Sequence, residues 1–428
     1  MSSFPAGRHD ARVLGLSALG GALEFYDFVI FVFFTRTLGE LFFPAGMPPW
    51  LAQLQVYSIF AAGYLVRPLG GLVMAHFGDR LGRKRMFTLS LLLMALPTLL
   101  IGLLPTYARL GAAAPLLLLA LRMLQGLAIG GEMPGAWVFV AEHVPARRGG
   151  FAAASLCSGM SVGILLGSLT ALWLHGRFDE HQVLAGAWRL PFLVGGVFGF
   201  VAVWLRRWLA ETPVFLQMQA ERQLVEELPF KRVLRDHPAA VGVSMLATWV
   251  LTAAIVVVIL MTPTVVQGAF GVSAGLATRG NVLASACLVV GCLLAGALTD
   301  RIGAARALLA GSAALLAAVY ALYLDLAAGG HHFLPLYALA GLAAGVAGVV
   351  PAVMVGVFPP AVRYTGLALS YNLAYAVAGA ATPPLIGYLS RGAGTLAPAH
   401  YVALVSLAAI VVAVYLRRPR PRTPSRTG

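Results

Sequence analysis

Long apolar runs separated by short polar breaks extend along the whole chain. Each run has about the 20 residues that an α-helix needs to cross the hydrocarbon core of a bilayer. Charged clusters and turns rich in Pro and Gly mark the breaks. The pattern predicts twelve helices, numbered 1 to 12 in chain order, at 13–36, 52–77, 87–107, 113–142, 149–175, 187–208, 237–262, 273–298, 304–326, 332–357, 361–389 and 399–416.

One long polar stretch divides these helices into six and six. We expect an N-terminal six-helix bundle over 1–210, a linker over 211–236, a C-terminal six-helix bundle over 237–416 and a basic tail over 417–428. An internal repeat agrees with this division, because DRLG at Asp79–Gly82 recurs as DRIG at Asp300–Gly303. Repeated halves are typical of transporters whose substrate binds between them.

Composition narrows the class of protein. The 428 residues are 60% hydrophobic and 11% charged, with a mean hydropathy of +0.85, whereas soluble domains carry about 25% charged residues. This excludes an ordinary soluble enzyme, a disordered protein and a disulfide-rich secreted module, and it favours an all-α membrane protein. With no nucleophile–base set, metal-ligand cluster or phosphate-binding loop in the sequence, we expect neither an enzyme nor a cofactor or metal site.

The net charge of +14 is sorted along the chain. Most Lys and Arg residues fall in the tails and in the connections after even-numbered helices. Basic loops stay on the cytoplasmic side of membranes, so we expect a multi-pass protein of the bacterial inner membrane with both termini in the cytoplasm. The basic tail is expected to contact anionic lipid rather than nucleic acid.

Five charged residues lie well inside predicted helices: Glu24, Asp27, Arg67, Arg122 and Glu132. Each costs about 2.5–3.5 kcal/mol to insert, which marks them as functional candidates. Glu24 and Asp27 share one helical face, and two neighbouring carboxylates in a low dielectric resist being ionised together, which favours proton exchange. Our hypothesis is that Asp27, with Glu24 as second choice, exchanges the proton and that Arg122 is its counter-ion. The alternative is a permanent salt bridge that holds the bundle together.

Arg67 and Glu132 lie at matching depth, about 15 Å from the same ends of their helices at 1.5 Å per residue. This predicts a structural or gating ion pair between them. The alternative is that Arg67 binds a carboxylate of the substrate directly.

Polar and aromatic side chains inside the helices are further candidates for substrate binding, together with Arg67 and Arg122. They are Tyr26, Tyr57, Tyr64, Asn281, Tyr371, Asn372 and Tyr375. Their alternative role is hydrogen bonding between helices. The tyrosine rings would also suit a quaternary ammonium group.

Several blocks of the sequence resemble the major facilitator superfamily over nearly the whole chain. One is its signature loop, GLVMAHFGDRLGRKR at Gly71–Arg85. More narrowly, the chain resembles the metabolite:proton symporters, which include carriers of citrate, 2-oxoglutarate, shikimate, and proline or betaine. The blocks of that narrower resemblance are LEFYDF at Leu23–Phe28, RPLGG at Arg67–Gly71, RMLQGLAIGGE at Arg122–Glu132, WRLPF at Trp188–Phe192, ETPVF at Glu211–Phe215 and VRYTGLALSYN at Val362–Asn372.

The resemblance implies two pseudo-symmetric six-helix bundles and proton-coupled uptake of a small organic acid or zwitterion by alternating access. A proton-driven exporter is the alternative, and a monomer is expected. The resemblance also implies that the latch loop, Asp79–Arg85, closes the cytoplasmic side, with Asp79 facing the start of helix 11 near Pro360–Thr365. The expected gating residues are Asp79, Arg80, Arg83, Lys84, Glu132, Arg148, Asp300, Arg301 and Arg363.

Overall fold

A computed structural model describes residues 8–220 and 229–417. Within these ranges the chain forms twelve long helices, of which eleven are long and apolar enough to cross a membrane. The other one, Arg363–Ala393, has 31 residues but carries Tyr371, Asn372 and Tyr375 among its apolar positions. The predicted number and order of helices are confirmed.

Helices 1 to 6 are Arg8–Phe33, Pro49–Leu65 continued by Arg67–Leu81, Arg83–Leu103, Ala113–His143, Gly149–Arg177 and Arg189–Arg206. Helices 7 to 9 are Pro238–Ala253 continued through Ala254–Met261 to Thr262–Phe270, Ala274–Ile302 and Ala304–Ala327. Helices 10 to 12 are Phe333–Ala343 continued through Ala344–Gly348 to Val350–Val357, Arg363–Ala393 and Ala397–Arg417. Short helices at Thr35–Phe42, Tyr107–Leu110 and Glu180–Gln182 lie in the connections.

Helices 2, 7 and 8 continue farther than predicted, to Leu81, Phe270 and Ile302. Their actual ends are followed by Gly82, Gly271 and Gly303, whose φ angles are 116°, 67° and 86°. Glycine adopts positive φ at little cost and is therefore the usual residue just past a helix end. The first polar residues of a helix end are a poorer boundary signal than the glycine that follows them.

Three helices are irregular near their middles. Helix 2 is interrupted at Val66 beside Pro68, because proline lacks an N–H and its ring clashes with the preceding turn. Helix 7 contains a π-helical segment, Ala254–Met261, and helix 10 a 3₁₀ segment, Ala344–Gly348. Such segments often mark functional positions in a helix.

Each half packs mainly within itself. Helix 1 packs on helix 5 and helix 3 on helix 6 in the first half, while helix 7 packs on helix 11 and helix 9 on helix 12 in the second. Between the halves, helix 5 packs on helix 8, and helix 11 on the second segment of helix 2. The predicted linker contains the helices Pro213–Ala220 and Pro229–Asp236. Its residues Glu221, Arg222, Glu226 and Glu227, and the predicted tail beyond Arg417, lie outside the described residues.

Glycines bring helices 2 and 4 into backbone contact. A Cβ atom at Gly126 would overlap the carbonyl of Gly63, and one at Gly130 would overlap the carbonyl of Arg67. Small residues permit such close approach of membrane helices. The contact places Arg67 of helix 2 and Arg122 of helix 4 beside one small cavity.

Candidate functional site

Asp27 and Arg122 form a buried ion pair in the first half. Arg122 Nη1 donates to Asp27 Oδ2 at 2.9 Å, Gln125 Nε2 donates to the same oxygen at 3.0 Å, and Thr98 Oγ1 donates to Oδ1 at 3.0 Å. The guanidinium also lies 4.4 Å from the ring centroid of Phe31. The predicted pairing is confirmed, whereas proton exchange at Asp27 stays a prediction. Three donors thus hold this carboxylate, two of them on Oδ2 and one on Oδ1.

Glu24 is paired with Arg67, and less completely. Arg67 Nη2 lies 3.3 Å from Glu24 Oε1, and both residues are at most 4% exposed. Glu24 Oε2 and Arg67 Nε make no hydrogen bond to any residue in the described ranges. Both residues line the small cavity, whose volume of about 10 Å³ has room for about one water molecule. One oxygen of Glu24 is therefore open to a proton or a further ligand, whereas both oxygens of Asp27 already accept hydrogen bonds.

Aromatic rings from both halves surround Arg67. Its guanidinium lies 5.2 Å from the ring centroid of Tyr64 on helix 2 and 5.0 Å from that of Tyr375 on helix 11. The ring of Tyr371 lies 5.4 Å from Tyr375, and Trp137 of helix 4 stands edge-on to Tyr371 at 5.0 Å. The Tyr371 hydroxyl and Trp137 Nε1 are buried and have no hydrogen-bond partner among the described residues. Three of the predicted tyrosines thus converge on one arginine.

The predicted Arg67–Glu132 pair is wrong. Glu132 Oε1 lies 2.5 Å from Nη2 of Arg206, and its Oε2 accepts a hydrogen bond from Ser90 at 2.5 Å. Position along a helix determines depth but not direction, and Glu132 faces helices 3 and 6 while Arg67 faces helix 1. Arg206 is completely buried. Its burial could not be predicted from sequence, because the Arg206–Arg207 pair resembles an exposed basic helix end.

The other residues predicted to contact substrate lie in different parts of the structure. Asn372 lies near Arg67, where its Nδ2 donates to the carbonyl of Gly130 at 2.6 Å and so joins helix 11 to helix 4. Tyr26 instead donates to the Pro191 carbonyl at 3.1 Å within the first half. Asn281 accepts a hydrogen bond from Tyr337 at 2.9 Å within the second half. Tyr57 is 45% exposed on helix 2. Sequence spacing alone could not separate these groups.

The latch loop joins the two halves at one end of the molecule. Asp79 Oδ2 accepts hydrogen bonds from the backbone N–H of Thr365 at 3.1 Å and from its hydroxyl at 2.8 Å. Arg83 donates to the Pro360 carbonyl at 2.8 Å and forms an ion pair with Glu142. The predicted contact between Asp79 and the start of helix 11 is confirmed.

Glu142, at the end of helix 4, was not among the gating residues predicted from sequence. Its carboxylate also pairs with Arg363 of helix 11 at 3.1 Å, so one buried acid connects two predicted gating arginines. Its place within the polar AEHVPARR segment is typical of a solvated helix end.

The repeat of the latch motif makes an equivalent contact. Asp300 accepts hydrogen bonds from the backbone N–H groups of Gly150 at 2.7 Å and Phe151 at 3.0 Å, at the start of helix 5. Helix N-termini favour anions, so each half caps a helix of the other. Arg148 and Arg301 are exposed beside this contact.

Lys84, one of the expected gating residues, hydrogen-bonds neither to helix 11 nor to any other part of the second half among the described residues. Its backbone N–H donates to Glu211 at the start of the linker at 3.1 Å, and its ammonium donates to the Arg207 carbonyl in the first half at 3.3 Å. Lys84 follows Gly82 into helix 3, and this turn directs it away from the second half. Arg80 lies beside it on the same outer surface.

A sequence profile described as Major Facilitator Superfamily matches residues 28–324 of the chain, which is more than half of it. The chain belongs to the Major Facilitator Superfamily. As a member it is a multi-pass membrane transporter of small solutes and not an enzyme.

Two curated relatives are similar over most of their length. The glycine betaine/proline/ectoine/pipecolic acid transporter OusA of Dickeya dadantii is 31% identical over 95% of this chain and 83% of its own. The proline/betaine transporter of Salmonella typhimurium is 30% identical over 96% of this chain and 84% of its own.

Solved structures share the fold at low identity. The proton:xylose symporter XylE bound to 6-bromo-6-deoxy-D-glucose has a TM-score of 0.76 at 16% identity, over 95% of each chain. The superfamily transporter FucP in its outward conformation has a TM-score of 0.71 at 16% identity, over 96% of this chain and 99% of that one. The fold of this superfamily is thereby confirmed for the chain.

Proposed function

We propose that the protein takes up a small zwitterionic or anionic solute together with protons, by alternating access between its two halves. The observation that carries the proposal is the buried Glu24–Arg67 pair, which is incompletely hydrogen-bonded and lies among aromatic rings of both halves. Relatives named as proline/betaine transporters support this substrate class, and the fold shared with a proton:xylose symporter supports the coupling.

In this proposal Glu24 exchanges the proton and Arg67 receives the substrate. A proton on Glu24 neutralises the carboxylate and releases the guanidinium to bind a carboxylate of the solute. Loss of the proton restores the pair and expels the solute. Asp27, our first choice from sequence, takes the second place, because three donors already hold its carboxylate. The Asp27–Arg122 pair then supports the walls of the site.

The rings of Tyr64 and Tyr375 add a reason to place betaine and proline first. A quaternary or secondary ammonium group is stabilised over an aromatic face, while the carboxylate of the same solute pairs with Arg67. Citrate and 2-oxoglutarate carry carboxylates but no cation, so they would use only the arginine.

The remaining assignments follow from charge and the repeat. We place the latch loop, both termini and the linker in the cytoplasm of a bacterium, since the basic loops collect on that side. We assign residues 1–210 and 237–416 to the two bundles, with 211–236 as linker and 417–428 as tail. The proposed gating role remains for Asp79, Arg80, Arg83, Arg148, Asp300, Arg301 and Arg363. Glu132 and Lys84 lose it because their partners lie outside the second half. The working unit is a monomer.

Proton flux in proteoliposomes that contain a trapped pH dye tests the proposal. We expect betaine or proline to drive internal acidification in the unaltered chain. Glu24→Gln should abolish acidification but retain exchange of labelled for unlabelled solute, because exchange needs no net proton movement. Asp27→Asn, as the matched carboxylate, should retain part of the acidification.

Solute entry without acidification in the unaltered chain would make the protein a uniporter and refute the coupling. A Glu24→Gln variant that still acidifies the vesicles would remove Glu24 from its role. No response to betaine, proline, citrate or 2-oxoglutarate would refute the substrate class and favour an exporter.

A further inference from the structure

A groove on the outer surface of the first half collects basic side chains beside the latch loop. It has a volume of about 890 Å³ and lies between the start of helix 3, the end of helix 6 and the short helix Pro213–Ala220. Its basic lining residues are Arg80, Lys84, Arg85 and Arg207, and Glu211 is the one acidic residue among the described residues that line it. The groove belongs to neither the Glu24–Arg67 site nor the contacts between the halves.

Glu211 does not neutralise these cations. Its carboxylate accepts hydrogen bonds from the backbone N–H groups of Lys84 at 3.1 Å and Thr212 at 2.9 Å, and so caps the start of helix 3. The Lys84 ammonium donates to the Arg207 carbonyl. Across the part of the chain that the structure describes, Lys84, Arg85 and Arg207 form no ion pair. The groove thus offers positive charge to an anion from outside the protein.

The edge of the groove is apolar and aromatic. Leu81 and Leu216 are 52% and 51% exposed there. Trp204 and Trp208 are each half exposed at the end of helix 6, and the Arg207 guanidinium lies 4.2 Å from the ring centroid of Trp204. Exposed tryptophans of this kind gather where lipid headgroups meet the hydrocarbon. The groove therefore combines cations with exposed leucines, and its lining residues Leu89 and Leu92 extend farther along helix 3.

We propose that this groove binds an anionic phospholipid, with its phosphate among Lys84, Arg85 and Arg207 and its acyl chains along the exposed leucines. Guanidinium and ammonium groups are strong donors to phosphate oxygens. A free anion would use the cations but gain nothing from the leucines. Arg80 and Lys84 belong to the same loop as Asp79, so the lipid contacts the loop that joins the halves.

The second half provides an internal contrast. In its copy of the loop, Ala304 and Ala305 stand where the first half has Arg83 and Lys84, and Arg306 stands in the place of Arg85. Arg306 is exposed, like Arg85. A substitution at Arg306 therefore removes the same charge at the same kind of loop without altering the groove.

Quenching of tryptophan fluorescence by brominated lipids tests the proposal on the full chain in phosphatidylcholine vesicles. The part of the quenching that is lost in the Trp204→Phe/Trp208→Phe variant comes from the two tryptophans beside the groove, and it is the signal to be measured. We expect brominated phosphatidylglycerol to be preferred there over brominated phosphatidylcholine by at least fivefold, since each cation near the membrane contributes about fivefold to binding of anionic lipid. The preference should fall as salt rises.

Charge removal gives the deciding comparison. The triple variant Lys84→Gln/Arg85→Gln/Arg207→Gln should bring the preference for phosphatidylglycerol down to about one. If the triple variant folds poorly, the single variant Arg207→Gln replaces it, and it should reduce the preference about fivefold. Arg306→Gln should leave it unchanged. Equal preference in the unaltered, triple-variant and Arg306→Gln proteins would overturn the proposal. Displacement of the brominated lipid by millimolar inorganic phosphate would assign the groove to a soluble anion and would equally overturn it.

Discussion

Asp79→Asn tests whether the latch loop sets the balance between conformations. Asp79 Oδ2 accepts two hydrogen bonds from Thr365, at 3.1 Å from its N–H and 2.8 Å from its hydroxyl. Hydrogen bonds to a charged group contribute about 1.5–3 kcal/mol and neutral ones about 0.5–1.5 kcal/mol. Loss of the charge alone therefore weakens the contact by about 2 kcal/mol. The population of molecules whose two halves are separated at the latch loop should therefore rise about 30-fold, since 1.4 kcal/mol corresponds to a factor of ten.

A native cysteine provides the assay. Cys157 of helix 5 is 5% exposed, and its Sγ lies 3.6 Å from the Ala347 carbonyl of helix 10, so it is covered where the halves meet. In a background with Cys287→Ser and Cys292→Ser, its rate of reaction with a maleimide measures how often the halves separate. We expect Asp79→Asn to raise this rate about 30-fold without substrate.

The control is Asp325, a carboxylate whose hydrogen-bond partners among the described residues all lie within the second half. Asp325 accepts hydrogen bonds from the backbone N–H and ring of His332, away from helix 11. Asp325→Asn should leave the maleimide rate unchanged. A rate for Asp79→Asn within about twofold of the parent would refute the conclusion that this carboxylate holds the halves together.

Three further substitutions test the site and its supports. Tyr375→Ala should raise the KM for betaine uptake about tenfold with a smaller change in kcat, because it removes one ring beside Arg67. A rise in KM no larger than that caused by Tyr57→Ala would contradict this role. Arg206→Met should destabilise the protein by about 3–5 kcal/mol because it leaves a buried carboxylate without its partner; a thermal unfolding midpoint equal to that of the parent would show that the pair contributes nothing. Gly130→Ala should abolish uptake because the added methyl group forces helices 2 and 4 apart. Gly149→Ala, whose added methyl group meets open space, should retain uptake. Equal uptake by the two variants would contradict the conclusion that this backbone contact supports the site.

The sequence by itself determined the class of protein, the number and order of helices and the repeat of the latch motif. It did so because these properties depend on local signals, namely runs of apolar residues and charges that are costly inside a membrane. The contact of Asp79 with helix 11 was expected only from the resemblance to the superfamily, since Thr365 lies 286 residues away along the chain. That Asp27 needs a basic partner followed from the cost of a charge inside a span, and the resemblance to the superfamily favoured Arg122 of helix 4 as that partner.

Only the tertiary structure decided the partners of Glu132 and Arg67. Glu132 and Arg67 lie at one depth, but the rotation of each helix about its axis depends on packing, such as the glycine contacts between helices 2 and 4. Packing turned Glu132 to Arg206 and left Arg67 to Glu24 and to the rings of Tyr64 and Tyr375. Sequence spacing measures position along a helix, and the choice of partner across helices is a property of the folded bundle.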